Sequence, residues 1–446
     1  MVEKSLYIFS NGELKRKDNT LFFETTEGKK FIPITTVREI FLFGEVTFNS
    51  KVLDFLSQQQ ALVHYFNHYG YYSGTIYPRE RIVSGDMILR QVEHYLDPTR
   101  RAAIAQRFVQ GAAQNLRRVL KYYQGRGRDV ADPLDKIEAL LPLVSSYTDV
   151  SQLMAIEGNI REAYYQAFNS ILSNADFRFE GRTKRPPRSP LNALISFGNS
   201  MLYTTVLSEI YKTHLDPRIG YLHATNFRRF TLNLDVAEIF KPILVDRIIF
   251  SMVDKGMLKA SHFVKASEGI FLNDAGRGIF VKQWDERLQQ TIQVRELGRS
   301  VSYRRLILRP AKRVGTLPAE QIRVLSQIDS LGIVQIGKAS PRRESIHSVC
   351  SPLVRGGGMM FVIVVYDVHV KRVAKVLKTC RRYLYWVQNS VLEGEITKAD
   401  FAALKRELAE IISPEHDSVL FYIFRTTRYT SRESIGIQKG GEERFL

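Results

Sequence analysis

"LDPTRRAAIAQRF", residues 96–108, marks the place where the period of the chain changes. Asp97 can accept the first free amides of a helix, and Pro98 suits the first helical position, where no amide hydrogen is needed. Downstream, apolar residues recur at helical spacing to about residue 309. Upstream they come in short runs of strand type. The same stretch begins a row of Arg100, Arg107 and Arg118, with Lys121 close by. That row reads as a solvated face rather than a phosphate-facing stripe.

Towards the N-terminus, "LYIFS", "TLFFE", "KFIPI" and "EIFLF" are separated by the turn stretches "NGELKRKDN" and "TEGKK". Residues 1–80 therefore read as a β-rich domain, interrupted by one short helix at about 50–59. Residues 84–309 read as a large all-α domain. Residues 310–358 show little periodicity beyond "EQIRVLSQI" and read as a linker. In residues 359–446, "MMFVIVVYDV" is a buried-type strand and "KRVAKVLKTCRRYL" a helix. "YWVQNSVLEGEI" is extended, "KADFAALKRELAEII" a helix and "SVLFYIF" a strand. With two strands in the middle stretch, the order is β-α-β-β-α-β, a ferredoxin-like module. The fold class is multidomain α+β.

The 446 residues carry 44% hydrophobic content, ample for a large core, and a net charge of +18. Such a balance implies a polyanionic partner. The N-terminus lacks the apolar stretch of a signal peptide and no run approaches bilayer length, so no membrane role and a cytoplasmic location are expected. The cysteines, Cys350 and Cys380, exclude a disulfide framework or a thiolate zinc site within one chain.

Residues 151–172 contain no proline and read as one long helix. Leu153, Ile156, Ile160, Tyr164, Ala167, Phe168 and Ile171 fall on one side, and Glu157 lies within that arc while Glu162 points away. A buried carboxylate needs a cation, a metal or a donor. Taken alone, a pair with Arg161, four residues on, is the simplest partner. Farther on, Asp235 and Glu238 share a helix side, and His223 sits in a Gly-Tyr-Leu-His loop before them. Carboxylates and an imidazole from separate segments can hold a divalent ion, although the spacing is also compatible with unrelated surface and capping roles. "GRTKRPPRSP", residues 181–190, has four basic residues, three prolines and no acid. It is expected to be an exposed, mobile loop, either solubilising or gripping phosphate. The helix after it is expected to pack against the one bearing Glu157.

"AIEGNIREAYY", "RTKRPPRSPLNALISFGNSMLY", "GYLHATNFRRFTLNLDVAEIFKPILVDR" and "GIFLNDAGRGIFVKQWDERL" together resemble the CRISPR-associated spacer integrase family, the first of the Cas proteins ("Cas one"), over about residues 1–309. "MMFVIVVYDV", "YWVQNSVLEGEI" and "DSVLFYIFRT" resemble its small adaptation partner ("Cas two"), over about residues 359–446. The resemblance implies a fusion with an N-terminal dimer-forming β-domain, a helical catalytic domain and a C-terminal scaffold. It puts metal ligands for Mg²⁺ or Mn²⁺ at Glu157, His223 and Glu238, with Asp235 as a supporting catalytic residue. The implied activity is spacer acquisition: 3′-hydroxyl ends of a short prespacer duplex attack the CRISPR repeat by transesterification. Implied partners are double-stranded DNA, further copies of the chain through integrase and module dimers, and other adaptation proteins. Arg182, Lys184, Arg185, Arg188, Arg228 and Arg229 are the candidate phosphate contacts.

Asp367, closing the first strand of the module, could hold a second metal between protomers or serve as an interface residue; the scaffold reading is favoured. Rival functions are a metal-dependent endonuclease that does not integrate and an architectural DNA-binding protein. The chain departs from the family after "YRRLILR", where it turns at Pro310, and "RGGGMM" could be a translated ribosome-binding site. Family assemblies use four integrase subunits to two partners, whereas a fusion supplies them one to one.

Overall fold

The computed structural model describes residues 4–17, 20–34, 37–78, 84–223, 230–267, 269–294, 299–314 and 359–424. The chain divides into two compact units, Met1–His68 with Ser73–Arg79 and Ser340–Leu446, and Tyr69–Tyr72 with Glu80–Ala339.

The N-terminal strands are β1 (Lys4–Ile8), β2 (Gly12–Lys17), β3 (Thr20–Thr25), β4 (Gly28–Ile32), β5 (Val37–Leu42), β6 (Val46–Thr47), β7 (Leu62–Phe66) and β8 (Tyr72–Ile76). They form two sheets, β1-β5-β7-β8 and β4-β3-β2-β6. Alternation along the strands brings Leu6, Ile8, Ile40, Leu42 and Val63 into one core with Leu14, Leu21 and Phe23. Helix α1 (Ser50–Gln58) starts where Asn49 Oδ1 accepts the Val52 amide at 3.2 Å, close to the expected 50–59.

In the second unit, α2 (Gly85–Leu96) leads into α3 (Pro98–Gln124), then α4 (Ala131–Leu140), α5 (Val150–Gln166), α6 (Phe168–Ile171), α7 (Pro190–Ile210), α8 (Leu232–Phe240) and α9 (Arg247–Asp254). The cap expected at Asp97 forms: Oδ1 accepts the amides of Thr99 at 2.9 Å and Arg100 at 3.1 Å. Helix α3 is the hub, packed by α4, α5 and α8. Its basic row has local partners, Arg100 on Glu93 at 2.6 Å and Lys121 on Glu138 at 2.8 Å, in keeping with a solvated face.

Four features differ from the sequence expectations. The helix of residues 151–172 is two helices, because the Ala167 amide bonds the Tyr164 carbonyl at 3.1 Å and tightens the last turn out of register. The seven inward residues are all buried nonetheless. Helix α7 packs chiefly on α8 rather than against α5; it is apolar on nearly every side, so periodicity could not select its neighbour. Two hairpins, β9 (Phe263–Ala266) with β10 (Gly269–Leu272) and β11 (Thr291–Val294) with β12 (Arg299–Ser302), flank α10 (Asp274–Gln289). Their four-residue strands are too short to show a period. Finally, α11 (Tyr303–Val314) runs four residues past Pro310, the expected stop. The rest of the expected linker, 315–358, lies outside the described residues, with the "RGGG" junction and Cys350.

The C-terminal module comprises β13 (Met359–Asp367), α12 (Val370–Cys380), β14 (Tyr385–Gln388), β15 (Val391–Thr397), α13 (Lys398–Ala409) and β16 (Ser418–Phe424). This is the β-α-β-β-α-β order, in an antiparallel sheet β14-β15-β13-β16. Val362, Val364 and Tyr366 face a core that includes Val376, Cys380, Leu404 and Leu408. On the other sheet face, Ile363 and Val365 pair with Tyr422 and Leu420, each of which is 52% exposed. Within the first unit, the Arg381 guanidinium lies 3.7 Å from the centroid of the Phe31 ring, a cation–π contact.

Candidate active site

Glu238 sits near the end of α8, four residues before Pro242. A proline there has no amide to give, and its ring crowds the carbonyl of Glu238. The chain answers with a π turn, Pro242–Asp246, in which the Asp246 amide bonds the Lys241 carbonyl at 3.0 Å before α9 resumes. Such turns inside helices recur at functional sites. Glu238 and Asp246 are both buried.

The two expected carboxylates converge. The Arg161 guanidinium approaches Glu157 Oε1 at 2.7 Å and bonds Glu238 Oε2 as well, bridging α5 to α8. Lys241 Nζ bonds the other oxygen of Glu238 and lies 5.1 Å over the Tyr203 ring. Burial alone would raise the pKa of Glu238, but the charges of Arg161 and Lys241, with a smaller contribution from His223, hold it down at about 2. Burial likewise works against the charge on Arg161 and Lys241, and the carboxylates reverse it, leaving both cations more basic than usual. Asp246 behaves oppositely. Burial pushes it up to about 7, although Arg161 and Lys241 draw it down.

Asp235 turns away from this cluster towards the His223 loop. Fully buried, it accepts the amides of Tyr221 at 2.6 Å, Leu222 at 3.0 Å and His223 at 2.9 Å, and meets His223 Nδ1 at 2.7 Å. A carboxylate can only accept in that contact, so Nδ1 carries a proton there; in the neutral imidazole the lone pair then falls on Nε2. Gly220 makes the approach feasible: a Cβ there would stand 2.9 Å from Asp235 Oδ2 and 2.7 Å from the Thr231 carbonyl carbon.

Among the described residues, no three His, Cys, Asp or Glu groups stand ready-made around one point as a metal cage. Between the two carboxylates stands the Arg161 guanidinium, ion-paired to both. The donors themselves suit a hard divalent ion: two carboxylates, and an imidazole whose ring is oriented through Nδ1 by a third, Asp235. In kind, the residues fit.

The basic residues fare differently. The loop at 181–190 is pinned rather than freely moving: Arg182 donates to Asn192 Oδ1 at 2.9 Å and Ser196 Oγ at 3.0 Å, and Ile270 N donates to the Pro187 carbonyl at 2.9 Å. Lys184, Arg185 and Arg188 are exposed, while Arg228 and Arg229 lie outside the described residues. Partial burial, and then the nearby Arg182, Lys241 and Arg161, pull Lys184 below the usual lysine range. Asp367 is exposed at the end of β13.

The model of CRISPR associated protein Cas1 matches residues 6–286. The chain belongs to the Cas1 family. The model of CRISPR associated protein Cas2 matches residues 360–432, which makes this a Cas1–Cas2 fusion. A CRISPR-associated endonuclease Cas1 of Thermodesulfovibrio yellowstonii is 58% identical over 306 residues, 69% of this chain and 93% of the relative. The counterpart from Thermotoga maritima is 50% identical over 304 residues, 68% and 93% of the two chains. Among solved structures, a CAS1 protein from Thermotoga maritima matches at 44% identity with a TM-score of 0.63, covering 76% of this chain and all (100%) of the other. A casposase bound to an integration product shares the fold at 17% identity, with a TM-score of 0.65 over 75% of this chain and 96% of the other. No helix among the described residues is long and apolar enough to cross a membrane.

The sequence reading missed two residues of this buried cluster, Lys241 and Asp246, and the second partner of Arg161. Lys241 had a readable signal, since a residue three positions after Glu238 shares its helix side. Asp246 had none, because the π turn that aims it inward shifts the register.

Proposed function

We propose that this chain is the integrase of CRISPR adaptation, joining 3′-hydroxyl ends of short prespacer DNA to the CRISPR repeat. One observation carries the reading. Glu157 and Glu238, remote in sequence, meet in a buried, cation-rich pocket beside a histidine whose ring is oriented by Asp235. Family membership supports the same reaction class.

The attack of the hydroxyl oxygen on phosphorus forms one P–O bond as another breaks, so no external energy source is needed. Glu157, Glu238 and His223 Nε2 would hold Mg²⁺ or Mn²⁺, which when bound supplies a lowered hydroxyl pKa and offsets the charge of the crowded phosphate. Asp235 would fix the orientation of the histidine ring through Nδ1. Arg161 and Lys241 would receive phosphate oxygens, and the exposed Lys184, Arg185 and Arg188 would grip the DNA backbone, with Arg182 bracing their loop from within. In the C-terminal module, the exposed Leu420 and Tyr422 support a module dimer acting as a scaffold between integrase subunits. Asp367 stands without a clustered ligand set among the described residues, which favours that role over catalysis.

The names of the relatives favour a second reading, hydrolysis with water replacing the hydroxyl. A labelled prespacer incubated with a repeat-bearing plasmid separates the two, because a nuclease yields cuts without joined label. Glu238→Gln is expected to lower joining by at least about a hundredfold, with duplex binding kept within about threefold. Full joining by this variant overturns the assignment.

A further inference from the structure

We infer that the resting centre is neutralised by its own Arg161 and Lys241, so that a divalent ion enters strongly only when DNA draws those cations away. This rests on the reading of Glu157, Glu238 and His223 as the metal ligands. Two carboxylates, Glu157 and Glu238, face two buried cations, and the pairing is direct: Arg161 bonds both acids and Lys241 bonds Glu238. The side chains of Arg161 and Lys241 are only 15% and 11% exposed, so neither can retreat into solvent without leaving its pocket.

Adding two positive charges to a pocket already balanced sets metal against guanidinium and ammonium where water screens little. A second observation points to what restores the balance. The exposed Lys184 lies near enough to Arg182, Lys241 and Arg161 to feel their charges, so cations gather beside the centre where an anion would relieve them. A DNA phosphate offers oxygens that match the planar fork of Arg161 and the ammonium of Lys241. As these cations move to phosphate, both carboxylates are released to the metal. The two ligands then assist one another, and linkage requires each to raise the affinity of the other by the same factor. The built-in cations would keep the centre weakly metallated, and therefore idle, until a DNA end is seated.

The test titrates Mn²⁺ into the full chain and reads the electron paramagnetic signal of the free ion, with and without a short duplex bearing 3′-hydroxyl ends. No repeat is present, so integration does not intervene. In the parent chain the duplex is expected to tighten Mn²⁺ binding on the order of tenfold. Arg161→Gln should bind Mn²⁺ more tightly than the parent in the absence of DNA, with the effect of the duplex reduced to less than about threefold. Lys241→Gln, checked by circular dichroism, repeats the measurement if Arg161→Gln does not fold. Equal Mn²⁺ affinity with and without duplex in the parent chain overturns the inference, as does a variant that folds and retains the full coupling. Glu238→Gln distinguishes the underlying reading: if it still binds Mn²⁺ at the parent stoichiometry, the ligand assignment itself fails, coupled or not.

Discussion

Asp246 is the residue whose protonation the fold perturbs most usefully for an experiment. Its carboxyl, ordinarily near 3.8, is pushed up to about 7 by burial. A carboxyl that holds its proton more tightly when folded contributes stability at low pH, and that contribution is lost as pH rises from about 4 towards 7. Asp246→Asn keeps the neutral shape at every pH. The variant should therefore melt at about the parent temperature at pH 4 and a few degrees above it at pH 8, roughly 2–4 °C per kcal/mol for a domain of this size. Thermal scans at the two pH values check this; a variant less stable than the parent at pH 8 contradicts it. Glu238 has the opposite sign. Held at about 2, it contributes stability above its ordinary value near 4.5 and loses it as pH falls through that window. At this scale Glu157 was legible, because a charge inside an apolar stripe demands a partner, and its place on the helix face between Ile160 and Phe168 needed only the 3.6-residue period. The partner itself was only half legible: Arg161 on the same helix followed from spacing, whereas its bond to Glu238 depends on α5 and α8 converging in space.

The elements around the centre divide the work between a rigid helix and a shaped loop. The interruption at Pro242 turns α8 into a π turn and presents Lys241 and Asp246 together. The Gly220–His223 loop is wrapped around Asp235 by three amide hydrogen bonds, a geometry that leaves no room for a β-carbon at Gly220. Gly220→Ala is expected to displace the loop, turn His223 out of line and reduce joining about 10–100-fold, comparable to losing a residue that orients a ligand. Global unfolding should change little, since α8 retains its contacts with α3 and α7. Steady-state joining with a parallel melt tests this, and unchanged joining would show that the loop can relax. The helix start at Asp97 was readable, because capping is a local bargain between one side chain and the next amides. The two hairpins, the break at Ala167 and the run of α11 past Pro310 were not, since short elements and helix ends are set by neighbours as much as by local preference.

For the whole molecule, the fusion constrains assembly. One chain brings one integrase part and one C-terminal module, and a half-exposed pair, Leu420 and Tyr422, lies on the sheet face turned away from the module core. A contiguous apolar face of this kind seeks a partner. In the full chain, Leu420→Glu with Tyr422→Glu should remove module-mediated association, lowering the mass found by light scattering and leaving single-end joining in place of paired joining. An assembly of unchanged mass would locate the association elsewhere. The order β-α-β-β-α-β was legible because each run is long enough to declare its period, and the sheet order β14-β15-β13-β16 follows the known habit of that connectivity.

The sequence by itself determined the division into strand, helix and strand–helix parts, the helix start at Asp97, the family resemblance and the place of Glu157 within an apolar helix face. These depend on spacing, composition and local hydrogen bonds, all of which are carried along the chain. Only the tertiary structure decided that one guanidinium binds both Glu157 and Glu238, that Asp235 serves His223 instead of joining the carboxylates, and that Arg182 braces a loop. Charges act through space and their strength depends on burial, so partners remote in sequence become defined only once the helices have packed.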